Sequence, residues 1–161
     1  MISTSYGYDE AHLTPFYAER QCKEYAKLGL MGITVLYSSG DRGVAGHNKT
    51  CLTPNGKSWL VVSSAWPSYH WLLGTVVAGG HIFNPGFPGS CPYITSVGAT
   101  MMRPNATVFD PETACTEIIY SGGGFSNYFA IPDYQKDAVG GYLKDYRPDY
   151  PPTIWNSTGM V

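Results

Sequence analysis

Charge is scarce in this chain. Only 14% of its residues are Asp, Glu, Lys or Arg, against roughly 25% in ordinary soluble domains, and the net charge is −2. No basic surface is available to follow a phosphate backbone or an anionic bilayer, so nucleic acid and membrane are set aside as partners. No stretch approaches the roughly 18 apolar residues of a membrane span. The four cysteines show no C-x-x-C spacing, which removes the common zinc and redox motifs. His12, His47, His70 and His81 have no paired ligand spacing and read as surface or loop histidines, with no metal site. Gly122-Gly123-Gly124 is not followed by the Lys-Ser/Thr of a phosphate loop and reads as a turn or a close backbone approach. No internal repeat is present, and residues 1–30 hold no basic start followed by an apolar run of the kind that begins a secretory leader.

What is plentiful is Gly, Tyr, Ser and Pro. Few carboxylates means little change of charge on acidification, which suits a protein secreted into acid. Three sequons, at Asn48, Asn105 and Asn156, fit the N-x-Ser/Thr pattern and point to the secretory route. In that setting an even number of cysteines reads as two disulfides. Of the three connectivities we favour Cys51 with Cys91 and Cys22 with Cys115, the alternative being four buried free thiols. Secreted composition without a leader is the expected look of an internal fragment. At 161 residues the chain can still bury a core as one domain.

The hydrophobic pattern is that of an α/β protein. Met1 to Ser5 reads as a strand. Thr14 can cap a helix with Pro15 at its first position, running through Phe16, Cys22 and Tyr25 to Leu28 and ending at Gly29. Ile33 to Tyr37 is the next strand and completes a right-handed βαβ unit. Ile94 to Ala99 and Glu117 to Tyr120 supply further strands, and Ala138 to Leu143 lies in a late helix weakened by Gly140 and Gly141. Both early strands deliver their carboxyl ends to one edge, where open α/β sheets place their ligands. Ser5-Tyr6-Gly7 and Ser38-Ser39-Gly40-Asp41 meet there. An ionised Asp at that edge only accepts hydrogen bonds, whereas a protonated one can donate to a developing oxyanion. A catalytic Asp41 would therefore prefer acid; its bland reading is a turn-forming residue. Asp9 and Glu10, which could be mistaken for a catalytic carboxylate pair, read as solvated residues before the helix.

Four segments occur in a telling order: Ile2 to Glu10, Thr34 to Gly43, Phe83 to Thr100, and Ser121 to Phe129. Together they resemble the sedolisins, the serine-carboxyl peptidases, with secreted fungal tripeptidyl peptidases as the closest likeness. The resemblance implies a subtilisin-like, doubly wound parallel sheet and makes residues 1–161 the central part of a peptidase domain. It implies that Asp41 is the oxyanion-hole aspartate and that Ser5, Tyr6 and Gly7, with Ser39 and Gly40, line the bound peptide's non-primed side. In the family the catalytic Glu and its partner Asp lie upstream of the segment matching Ile2. The nucleophilic Ser lies downstream, in a Gly-Thr-Ser turn that Asn156-Ser157-Thr158-Gly159 does not match. Calcium is implied for an intact member, its ligands beginning just beyond Val161. The partner expected is a peptide or protein substrate, together with the missing N- and C-terminal parts of the same domain. The work expected is that of a secreted acid serine peptidase, releasing tripeptides or cutting internally. The competing reading is an inert secreted glycoprotein or peptide-binding domain, or a translation product that never folds.

Residues 57–79 match nothing in that family. They concentrate Trp59, Trp66 and Trp71 in a loop context, an apolar patch that invites association. Length is no obstacle, since growing a Cys51 to Cys91 loop from about 18 to about 41 residues alters a disulfide's contribution by only ~0.7 kcal/mol. The expectation is a translated intron, with Gly56-Lys57-Ser58 encoded across a donor and Ala78-Gly79 across an acceptor. The alternative is a real insertion that docks on a neighbouring domain.

Overall fold

The computed structural model describes residues 1–47, 50–54 and 81–161, with the backbone course of 58–60. Asn48 and, of the stretch 57–79, all but residues 58–60 lie outside the described residues. In chain order the elements are β1 (Ile2–Thr4), β2 (Tyr8–Asp9), α1 (Pro15–Leu30), β3 (Val35–Ser38), β4 (Thr50–Leu52), β5 (Ser58–Leu60), β6 (Gly86–Phe87), β7 (Thr95–Val97), β8 (Thr100–Met101), β9 (Thr113–Ala114) and α2 (Asp133–Asp145).

The centre is a parallel sheet in the order β1-β3-β7, with Ile2 opposite Val35 and Leu36 opposite Thr95. β1 and β3 pair in parallel with α1 between them in the chain, the βαβ order expected from the sequence. Its helix starts where the capping chemistry places it: Tyr17 N–H donates to Thr14 Oγ1 at 3.2 Å, and Pro15 occupies the first turn, where its missing N–H costs nothing. Ala18, Cys22 and Tyr25 recur on one face and enter a core with Val35, Phe87 and Cys91. The helix does not stop at Gly29. It runs on to Leu30, because a glycine inside a helix costs only about 1 kcal/mol, and the stop lies at Gly32, whose φ is +78°. There Gly32 N–H reaches Gly29 O at 2.9 Å and Ile33 N–H reaches Leu28 O at 3.0 Å, the paired bonds of a Schellman end.

The disulfide pairing differs from the expectation. Cys22 is bonded to Cys91, with their Cα atoms 5.7 Å apart, while Cys51 and Cys115 are free and buried. Cys22 faces inward from α1 toward the turn that carries Cys91, both in the core beside Phe87. Cys51 instead sits in β4 against Ala45, and burial raises its thiol pKa to about 11. Glu117 to Tyr120 is not a strand either: only Tyr120 pairs, in a single parallel bridge to Arg42. Ile118, at 87% exposure, offers that segment no buried face on which to lay a ladder.

A second core gathers Phe83, Phe125 and Trp155, with Val139 and Leu143 of α2 packed on it. The helix is longer than Ala138 to Leu143, and Cβ atoms at Gly140 and Gly141 would meet nothing. β5 pairs antiparallel with β4, while Leu52 also exchanges hydrogen bonds with Ile82, at 2.8 and 3.0 Å. The start of the anomalous stretch and the chain just after it thus pair with the same strand.

Candidate active site

A cleft of about 350 Å³ opens at the carboxyl ends of β1 and β3. Ser5, Tyr6, Gly7, Ser39, Gly40 and Asp41 all line it. Parallel pairing brings them together, since it aligns the ends of β1 and β3 and sends both chains outward at one edge. Tyr6 stands exposed, in an edge-on contact with Tyr8 at 5.5 Å.

Glycines let the Asp41 loop close against its neighbours. Gly40 has φ +102°, a conformation costly for any residue with a Cβ. Gly122 N–H donates to Gly40 O and to Ser39 Oγ, both at 3.0 Å. A Cβ on Gly122 would lie 1.7 Å from Ser39 O, so the triple-glycine segment is a close backbone approach. Tyr120 N–H binds Asp41 O at 3.1 Å and Gly43 N–H binds Tyr120 O at 2.9 Å. The backbone of Asp41 is thereby pinned while its side chain is exposed. Among the described residues that carboxyl group makes no hydrogen bond or ion pair.

Asp9 and Glu10 correct the sequence reading. Far from being solvated, each is only 1% exposed. Asp9 Oδ1 accepts from the backbone N–H of His47 at 2.6 Å and faces its Nδ1 at 3.0 Å. Asp9 Oδ2 accepts from Thr50 Oγ1 at 3.2 Å and Asn84 Nδ2 at 3.4 Å. Glu10 Oε2 accepts from Asn127 N–H at 2.7 Å, and Oε1 accepts from Ser126 Oγ. Burial raises the Glu10 pKa above its ordinary range, against the lowering effect of the Ser126 and Asn127 bonds. His47 is as exposed as expected, but no sequence spacing announces its partner 38 residues away. The only local signal was two adjacent acids in a chain poor in charge.

The sequons differ. Asn105 is exposed at a turn with φ +64°. Asn156 is half-buried, and its Nδ2 donates to Ser126 O at 2.9 Å. No group of three or more His, Cys, Asp and Glu side chains that could hold a metal occurs among the described residues. Nor is any helix among them long and apolar enough to cross a membrane.

Aorsin of Aspergillus oryzae is 45% identical over 156 residues, covering 94% of this chain and 21% of that protein. Tripeptidyl-peptidase SED1 of Arthroderma otae is 39% identical over 175 residues, covering 99% of this chain and 23% of its own length. Among solved structures, Pseudomonas sedolisin, a serine-carboxyl proteinase complexed with pseudo-iodotyrostatin, superposes with a TM-score of 0.56 at 22% identity, over 91% of this chain and 34% of that one. The chain belongs with the sedolisins. Its fold is their α/β, subtilisin-like fold in incomplete form. No protein-family model matches the sequence. This sedolisin segment spans about a fifth of the length of the curated relatives it matches.

Proposed function

We propose that this chain forms the oxyanion-stabilising and peptide-binding wall of a secreted acid peptidase that releases tripeptides from amino termini. A peptide lies along Ser5-Tyr6-Gly7, flanked by Ser39 and Gly40. A serine from another part of the full-length protein attacks the scissile carbonyl while a Glu, held by its Asp partner, takes the hydroxyl proton. Negative charge then develops on the carbonyl oxygen, and Asp41, un-ionised in acid, donates a hydrogen bond to it. The serine's base must be ionised while Asp41 must not be, and these opposed demands define an acidic working range. Calcium would serve the full-length protein through ligands beyond this chain.

The observation that carries the proposal is the convergence of all six residues on one cleft, with the Asp41 backbone pinned and its side chain exposed. Kinetics of the full-length protein test it. Asp41→Ala should lower kcat by roughly 10² to 10³ with little change in KM. Asp41→Asn should be milder and stay active to higher pH, because an amide donates whatever the pH. Parental kcat and pH dependence in both folded variants would remove Asp41 from this role.

Two companion readings go with the proposal. Export carries a glycan on exposed Asn105, which glycopeptide mass spectrometry would reveal. Residues 57–79 are a retained intron: although Ser58–Leu60 pair with β4, the Leu52 to Ile82 bonds can close a short hairpin without them, and removing a tryptophan-rich apolar stretch should raise soluble yield. A mature transcript that keeps the segment, with protein that loses stability on its deletion, would show a genuine insertion.

A further inference from the structure

His47 lines the same cleft as Asp41 yet has no part in the oxyanion chemistry. Its side chain is 56% exposed, whereas the side chain of its partner Asp9 is fully buried. Two bonds fix the residue: the backbone N–H and Nδ1 both lie on Asp9 Oδ1, at 2.6 and 3.0 Å. Asp9 is itself anchored by Thr50 and Asn84. A Cβ on Gly46 would stand 2.2 Å from Asp9 Oδ2, so only glycine lets the chain pass this close to the carboxylate. The ring is therefore aimed by a rigid, buried acceptor. His47 Cε1 would be 3.9 Å from a Cβ on Gly7, which sets the ring beside the Ser5-Tyr6-Gly7 segment. With Nδ1 directed into the protein, the opposite edge, which carries Nε2, is the edge left to the cleft.

We propose that His47, aimed by buried Asp9, is a substrate-positioning residue whose Nε2–H donates to an oxygen of the bound peptide, either a backbone carbonyl or an acidic side chain. This rests on the cleft being the peptide site proposed above. In its doubly protonated form, the one acid favours, an imidazole donates from both nitrogens. Nδ1 is spent on Asp9, and Nε2 remains for the ligand. The charged and titratable groups sharing the cleft or its wall are Asp9, His12, Asp41, Arg42, Tyr6 and Tyr8. Only Asp9 contacts the imidazole among the ion pairs and side-chain hydrogen bonds of the described residues.

The test is steady-state kinetics of the full-length protein at acidic pH, with peptides in matched Asp/Asn and Glu/Gln pairs at each position. His47→Ala should raise KM about 10-fold, the loss of one charge-assisted hydrogen bond, and leave kcat within about twofold. His47→Gln, whose amide can still donate, should recover most of that loss. A penalty confined to acidic peptides identifies a side-chain carboxylate as the acceptor, and a uniform penalty identifies a backbone carbonyl. Thermal melts of both variants separate binding from folding. Should His47→Ala fail to fold, His47→Gln carries the test against His47→Leu. KM within about twofold of the parent for every peptide, or a fall in kcat at constant KM, overturns the inference. If the parent cleaves peptides while KM is insensitive to His47, only this inference fails; if the parent neither cleaves nor binds peptides, the peptidase reading fails and takes this one with it.

Discussion

Asp9 and Asp41 line the same cleft and differ in everything else. The buried Asp9 accepts from His47, Thr50 and Asn84, and its neighbour Glu10 binds the Ser126-Asn127 turn. Asp41 is exposed, and its own hold on the neighbouring chain is through its backbone. A buried carboxylate with all its acceptor sites used ties segments together, because undoing any one bond leaves a polar group without water. An exposed carboxyl group on a rigid backbone has its hydrogen-bonding capacity free for a ligand. In this sheet edge, then, the acids that hold the cleft and the acid that faces it are different residues.

Measurements can break or sharpen that contrast. The largest effect on stability should come from the scaffold beneath both regions. Cys22 and Cys91 close a loop with a sequence separation of 69, and Cys22→Ser should cost about 4 kcal/mol by loop entropy, read as a lower denaturation midpoint. A loss under about 1 kcal/mol would mean that this bond constrains little in the unfolded chain. Cys51, by contrast, should react slowly with alkylating reagents at neutral pH, since its thiol is buried and its pKa is raised to about 11.

Next comes the knot itself. Glu10→Ala should destabilise by about 3 kcal/mol, by stranding Ser126 Oγ and Asn127 N–H. Glu10→Gln should cost less and change the pH response. Because the folded pKa of Glu10 is raised above the ordinary value of 4.5, the folded state holds this proton more tightly than the unfolded chain does. Its stabilising contribution is full below the unfolded value and is lost as pH rises through the raised folded one. Melting temperatures measured upward from pH 4 should therefore decline less in Glu10→Gln than in the parent. Equal slopes would show that Glu10 does not titrate with folding.

The smallest effect on stability should be at Asp41. Asp41→Ala ought to stay within about 0.5 kcal/mol of the parent, as surface substitutions do, even though its proposed effect on kcat is among the largest expected here. A destabilisation comparable to that of Glu10→Ala would erase the distinction between the two regions.

Much of this arrangement was legible from residues alone, wherever the signal is local. Thr14-Pro15 announced the start of α1 because capping and a fixed φ act within one turn, and the segments Met1 to Ser5 and Ile33 to Tyr37 read as strands whose ends had to share an edge. Ordered motifs placed Ser5-Tyr6-Gly7 beside Ser39-Gly40-Asp41 and indicated the family. The end of α1 was misjudged because Gly29 and Gly32 look alike in sequence, and only the backbone reveals which one turns left-handed.

Other features depend on distance through the fold. The partner of Cys22 is set by which thiol the core brings within bonding range, and connectivity cannot be counted from spacings. The burial of Asp9 and Glu10 is decided by His47, Thr50, Asn84, Ser126 and Asn127, donors from segments far along the chain. Near-neighbour chemistry determined the elements and the edge on which the candidate site lies. Tertiary structure alone decided which charges vanish into the protein and which one faces the cleft, because solvation of a carboxylate is a property of everything packed around it.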